Sequence, residues 1–415
     1  MTQSESPGTS RRELLRRGSA LALAGAVPGL IAGCGSEDKP APAASAPTTS
    51  GKPVKIGFIA LTDCASIVMA EALGYYKKRG VNVEIVKQAS WPATRDGLLN
   101  GDIDAAHCLF GMPFSVATGI SGKGTDLKVA MILNNNGQAI TLQDKLKAAG
   151  YGDMAAAKAA LKGGKGLTMA MTYPGGTHDI WLRYWLKALG AEPKIIPIPP
   201  PQMVANMKVN RMNGYSVGEP WNAVAVAQKI GFTTITSQDI WQHHPEKALV
   251  VNAAFASSRT EDLKKVMGAV LEASTWLDDP ANRKKAAQTL GTPAFVNAKP
   301  ADIEGRLTGN YDLGAGLGTK TFGDDNMRFF RDGETNFPRK SYAYWFMAQY
   351  QRLGYLKKAP DYEAIASDII LTDLYKEVAK AEGVAVPDDD MAPFTVKLDG
   401  ATFDPAKPEA EASRA

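Results

Sequence analysis

The residues in this 415-residue chain that could do chemistry fall in five short polar segments. "KQASWPATRD" sets Trp91 directly before Pro92, and "ILNNNGQAITL" sets Gln138 beside Gly137. "TYPGGTHDIWLRYW" places Gly175, Gly176, Thr177 and His178 at the start of a strongly amphipathic stretch. "SVGEPWN" contributes Gly218 and Glu219, and "HHPEKALV" contributes Lys247. Taken singly, each has a bland alternative. Trp91 fits a core, Gln138 a surface amide, Gly218 a turn, and Lys247 a solvated lysine. Glu219 reads as a structural partner rather than a general base, and the adjacent His243 and His244 as solvated loop polars.

Taken together the set is rich in donors and holds no evident nucleophile. The first N–H groups of a helix have no internal partners and carry partial positive charge. Glycines at such a start let an anion approach the main chain. An indole N–H, an amide N–H₂ and an imidazole N–H add donors of fixed direction, and a lysine adds positive charge. Such a set grips a small oxyanion better than it breaks a bond. The enzyme signatures sought are missing: no G-x-x-x-x-G-K-[ST], H-E-x-x-H, G-x-S-x-G or paired C-x-x-C occurs.

The polar segments sit at ends of elements that alternate between short apolar runs and helical periods. "VKIGFIAL", "VNVEIVKQ", "IDAAHCLF" and "LKVAMIL" read as strands, with "SIVMAEALGYYKKRG", "PATRDGLLNGD" and "FSVATGI" as helices between them. The rhythm restarts after "QAITL" with the strands "GLTMAMT", "KIIPI", "GYSVG" and "TTITS", and "KALVVNAAFA" reads as a return crossing. Alternation of this kind predicts parallel sheets covered by helices, whose ligands sit at the carboxyl ends of the strands. The pattern therefore predicts a first lobe begun at 54–140, a second lobe at 141–248, and a return with a helical C-terminal region at 249–400. Residues 401–415, "ATFDPAKPEAEASRA" but for its place at the end unremarkable, read as a disordered tail.

Composition is that of a globular protein, with 45% apolar and 22% charged residues and a net charge of +4. The first 34 residues hold four arginines against two glutamates. The remaining body is too weakly charged for a nucleic-acid footprint. "SRRELLRRGSALALAGAVPGLIAGC" has the basic head, apolar middle and small-residue end of an export signal over 1–33, with an Arg-Arg pair of the twin-arginine type. Its apolar run is too short and too interrupted by Gly and Pro to span a bilayer comfortably. "IAGC" resembles a lipobox, which would make Cys34 the lipidated residue, and 34–53 reads as a flexible tether. Cys64 and Cys108 could pair in an oxidising compartment.

The segments from "GFIALTDCASIVMAEALGYYKKRG" to "NGDIDAAH", with "MTYPGGTHDIWLRYWL", "PPPQMVANMKV", "VGEPWNA" and "HPEKAL", resemble the nitrate- and bicarbonate-binding lipoproteins of bacterial ABC importers. The likeness runs from about Val54 to Leu356, and "PGGTHD", "PPPQM" and "VGEPWN" are its most specific parts. It implies a type II periplasmic binding protein fold, two doubly wound α/β lobes around a ligand cleft with a helical C-terminal extension. The resemblance further implies ligand contacts at Trp91, Gln138, His178, the Gly218 backbone N–H and Lys247, with Gly175, Gly176, Thr177 and Glu219 behind them. Bicarbonate-binding relatives have an acidic residue at the position of Lys247 and take calcium with their substrate. A lysine supplies that positive charge covalently, so the expectation is nitrate, with nitrite as a second ligand, and no metal or cofactor. The implied partners are the permease and ATPase subunits of the importer, with the protein held at the periplasmic membrane surface through Cys34. A bicarbonate binder, another small-oxyanion binder, and a nitrate-sensing regulator are the alternatives. Thiamine-precursor synthases share the lobed fold, but no motif here requires catalysis.

Overall fold

A computed structural model describes residues 51–124 and 126–415. The expected export signal, Cys34 and most of the tether lie outside the described residues. Ten strands form two five-stranded sheets. The first contains β1 (Val54–Phe58), β2 (Val83–Lys87), β3 (Ala105–Leu109) and β4 (Leu127–Asn135). The second contains β5 (Gln138–Gln143), β6 (Thr168–Met171), β7 (Lys194–Pro197), β8 (Gly214–Gly218) and β9 (Gly231–Thr236). The chain then returns to the first sheet as β10 (Pro245–Asn252).

Strand order is β2-β1-β3-β10-β4 in one sheet and β7-β6-β8-β5-β9 in the other. In each, β1–β3 or β6–β8 pair in parallel, and the strand arriving from the other lobe inserts antiparallel. This is the two-lobed α/β fold expected of a periplasmic binding protein. The chain crosses at Asn136–Gly137, both at positive φ, and again between Thr236 and Pro245. Both crossings come a few residues before the expected 140/141 and 248/249 boundaries. The polar run Asn134–Gln138 in "MILNNNGQAITL" marks the crossing, but only the sheet pairing reveals that Gln138 already belongs to the second lobe.

Helix boundaries follow local chemistry. Ser90 caps the helix Trp91–Asn100 by accepting from Ala93 N, and Gly101 closes it at φ 73°. The helix Thr177–Leu189 buries Ile180, Trp181, Leu182, Tyr184, Trp185 and Leu186 and ends at Gly190 with φ 63°. That apolar face anchors its N-terminus against the cleft.

The C-terminal region ties the lobes together. The buried helix Lys340–Arg352 packs Trp345 and Phe346 against Trp181 of the second lobe, while Phe346 also meets Phe110 of the first. The Tyr350 hydroxyl lies 2.7 Å from both Gly111 O and Gly175 O, one in each lobe. The expected disordered tail is instead ordered. Glu411 accepts from Gln349, Arg414 pairs with Asp399, and a short helix spans Pro408–Ala412. The tail has no apolar period of its own, and its order comes from these polar partners and from Phe403, buried against Phe394. Gly111 O also accepts from Ser115 N, so replacing Tyr350 with Phe takes the hydroxyl donor from the buried Gly175 O, and urea unfolding should show a loss of about 1–3 kcal/mol with unchanged m-value.

Candidate functional site

The strand ends converge on one buried polar cluster between the sheets. Lys247 stands near the start of β10, in the first lobe, immediately after the second crossing. Its ammonium donates to Asp63 Oδ2 at 2.7 Å and to Glu246 Oε1 at 2.5 Å, and all three side chains are 0% exposed. Glu246 and Lys247 are sequence neighbours, which on a regular strand would face opposite ways. Register shifts on either side of Lys247 in the β10–β4 pairing break that alternation and bring both heads together.

The second lobe meets this ion pair through the start of the helix Thr177–Leu189. Thr177 Oγ1 donates to Glu246 Oε1 at 2.7 Å and Trp181 Nε1 donates to Glu246 Oε2 at 3.2 Å. His178 Nε2 lies 3.4 Å from the Lys247 ammonium, while its Nδ1 is 2.5 Å from Thr172 Oγ1. Gln138 Nε2 donates to Thr177 Oγ1 at 3.1 Å, and Gln138 Oε1 has no partner. From the first lobe, Trp91 covers the cluster. Its ring centroid is 5.9 Å from Lys247 Nζ and 6.3 Å from the His178 ring. The Trp91 indole Nε1 is buried without a hydrogen-bond partner. A buried N–H left in that condition costs about 1–3 kcal/mol.

Gly218 ends β8 at the same place. A Cβ there would come within 3.2 Å of Asp63 Oδ2 and 3.5 Å of His178 Nε2. All five expected contact positions therefore border one cluster. The four positions behind them divide differently. Thr177 is in the cluster, whereas Glu219 turns to Arg306 at 3.6 Å and to Ala223 N, matching its structural reading. Gly175 and Gly176 do not open onto the cluster. A Cβ on Gly175 would strike Ser115, and one on Gly176 would strike Leu109, both from the first lobe. Their smallness serves close approach of the lobes rather than approach of an anion to the main chain.

Three readings need correction. Lys247 is fully buried, which removes its bland alternative as a solvated lysine, but its charge already faces two carboxylates, so it is not the lone cation that the donor set suggested. His244 is no loop polar: it is 0% exposed, its ring tilted 58° to that of Trp181 with centroids 4.5 Å apart, and it lies 3.6 Å from Glu246. Cys64 and Cys108 are both buried and free. Sequence reasoning passed over Asp63, His107, Glu246, Thr172 and Trp181. Asp63 follows β1 in "ALTDCAS", so the strand-end rule that found the others would have found it too. His107 lies inside β3, where only its bond to Asp63 Oδ1 at 2.7 Å reveals a role.

The electrostatics are those of a fully buried site. Burial works to raise the Asp63 carboxyl, but Lys247 and His107 outweigh it and hold the group below its usual 3.8. Burial works to lower Lys247, and Asp63 with Glu246 reverses that, lifting the ammonium above 10.5. Burial pushes Glu246 above the usual carboxylate value, against the pull of Lys247. His178 is driven well below 6.5 by burial and then by Lys247, and stays neutral. His107 and His244 are lowered too, chiefly by burial, His244 to about 3. Among the described residues no group of three or more His, Cys, Asp or Glu side chains forms a metal-holding cluster.

Two sheets exchanging one strand each, with polar residues meeting at strand ends, define a solute-binding protein of the periplasmic type. The chain belongs to the family of nitrate/nitrite-binding proteins. It is 38% identical to the "Nitrate/nitrite binding protein NrtA" of Nostoc sp. over 384 residues, 88% of this chain and 86% of that one. The crystal structure of the periplasmic nitrate-binding protein NrtA from Synechocystis superposes with a TM-score of 0.83 at 37% identity, covering 88% of this chain and 98% of that one. A "Nitrate import ATP-binding protein NrtC" of Synechocystis sp. is 32% identical over 362 residues, which is 85% of this chain and 53% of that protein. The NMT1-like family pattern matches residues 48–291.

The linkage signs of the ion pair are fixed by these directions. Asp63, lowered in the fold, contributes stability above pH 3.8 that is lost as pH falls through its folded value. Lys247, raised, contributes stability below pH 10.5 that is lost as pH rises through its folded value. Asp63→Asn should therefore lower stability by about 3–5 kcal/mol near neutrality and remove part of the acid limb, read by urea unfolding across pH.

Proposed function

We propose that this protein is an extracytoplasmic solute-binding protein that captures nitrate, with nitrite as a second ligand. On this reading it delivers the ion to the permease and ATPase of an ABC importer. One observation carries the proposal. An ammonium, an unpartnered indole N–H, a neutral imidazole and a glycine backbone converge at zero exposure where the two lobes meet. Trp91, Gln138, His178, the Gly218 N–H and Lys247 are the proposed contacts. Thr177 holds Gln138 and Glu246 in place behind them.

Nitrate is planar, singly charged and weakly basic, and it rewards donors spread around its plane. Charge-assisted hydrogen bonds contribute about 1.5–3 kcal/mol each. Three to five of them, less the costs of closure, support a micromolar complex of about −8 kcal/mol. Nothing in this chemistry needs a nucleophile or a base, and the buried thiols of Cys64 and Cys108 are pushed upward by burial. The protein therefore acts as a carrier rather than an enzyme. Export through the 1–33 signal and lipidation at Cys34 would hold it beside its permease. Mass spectrometry of the mature protein should find a lipid-modified N-terminal Cys34.

The ligand is tested by calorimetric titration with nitrate, nitrite, bicarbonate and sulfonates, with calcium and with a chelator. Nitrate should bind equally in both conditions, whereas a calcium-dependent bicarbonate response would establish the bicarbonate reading instead. Lys247→Glu should weaken metal-free nitrate binding more than about a hundredfold, by removing one charge-assisted bond and adding repulsion. Unchanged nitrate affinity in that variant would remove Lys247 from the site.

A further inference from the structure

The two carboxylates on Lys247 create a charge balance that anion capture must resolve. One ammonium faces Asp63 and Glu246, so the pocket carries excess negative charge before any nitrate arrives. The neighbouring groups offer no relief in their neutral forms. On its own strand Glu246 faces Lys247 and, 3.6 Å from Oε2, His244 Nδ1. From the second lobe it faces His178 Nε2 at 3.8 Å, together with the uncharged Thr177 and Trp181. Asp63 approaches from the turn after β1, and His107 in β3 stands behind it. An anion brought into this enclosure unaccompanied would oppose two carboxylates with one cation, and burial leaves these charges poorly screened.

We propose that the site takes up its anion together with one proton, which is held on the Glu246 carboxyl. This rests on the anion-binding reading and names the species that is carried: the ion plus a proton, without net charge. The proton comes from solvent and forms a bond to a Glu246 oxygen, and no other covalent bond changes.

The hydrogen-bond network already has the means to accept that proton. Glu246 Oε1 shares Lys247 Nζ and Thr177 Oγ1, and Thr177 Oγ1 in turn accepts from Gln138 Nε2. A protonated Glu246 would donate to Thr177 Oγ1, and the Thr177 hydroxyl would turn to Gln138 Oε1, the oxygen that has no partner. That reversal rotates the Gln138 amide so that its N–H₂ group is released, and it loosens Lys247 from Glu246. Two donors thereby become available to the anion in one step. Asp63 is the poorer proton holder, because Lys247 and His107 both donate to it and favour its ionised form. The upward displacement of Glu246 by burial agrees with this assignment.

The test is calorimetry of the full-length protein with nitrate, in buffers of different ionisation enthalpy, between about pH 6 and pH 9. The slope of heat against buffer enthalpy should give uptake of about one proton per nitrate, with affinity falling about tenfold per pH unit on the alkaline side. Glu246→Gln should bind nitrate with a slope near zero. Independently of that variant, the infrared difference spectrum of the wild type should gain a protonated-carboxyl C=O band when nitrate is added. Nitrate binding with zero slope in the wild type would overturn the proposal, as would binding that depends on sodium or calcium. An unchanged slope in Glu246→Gln would place the proton elsewhere and equally overturn it. Failure of nitrate to bind at any pH would instead sink the anion reading on which this one stands.

Discussion

A lysine ammonium buried between two carboxylates is the constraint around which the rest of the molecule is arranged. Removing three charged groups from water is expensive, and mutual attraction offsets that cost only with close, well-directed contacts. The contacts at 2.5 and 2.7 Å satisfy this condition, and they draw on separate parts of the chain. Asp63 comes from the turn after β1, Lys247 and Glu246 from the returning strand β10. Thr177 and Trp181 reach Glu246 from the second lobe. Separating the lobes would therefore strip a buried carboxylate of two of its donors, so the polar network itself favours the closed arrangement.

The apolar scaffold makes that network affordable by excluding solvent on every side. Trp91 covers the ammonium, while Trp181 packs its ring against His244 and hands its N–H to Glu246. Behind Trp181, Trp345 and Phe346 extend the packing into the C-terminal helix that spans both lobes. On the opposite flank, Thr62 N donates to Glu219 O and Trp221 Nε1 donates to Ala60 O, joining the ends of β8 and β1. A carrier must reopen, and these direct inter-lobe bonds are the ones that opening has to break. They couple the site to the hinge: a change in the protonation or ligation of Glu246 acts on the same bonds that hold the lobes together.

Much of the fold was legible because its signals are local. Alternation of apolar runs and helical periods marked nearly every strand of both sheets, and Gly101 and Gly190 stop their helices as glycines do. The five contact positions were reachable because strand ends and helix starts can be read from the same patterning, and a family resemblance joined them. The tail at 401–415 was misread for the converse reason. Its order depends on Gln349, Asp399 and Tyr184, which no local pattern connects to Arg414 or Glu411.

The sequence by itself determined the α/β class, the two-lobe rhythm and the donor-rich character of the cleft, since all three follow from residue type and period. The tertiary structure alone decided the charge state of the site. Adjacent residues in a strand point to opposite faces, so "PEKAL" on its own separates Glu246 from Lys247. Irregular pairing with β4 brings them together, and a turn 184 residues away supplies Asp63. Whether a lysine is a free cation or is held by carboxylates depends on which of them the fold brings within hydrogen-bond reach, and no spacing along the chain encodes that distance.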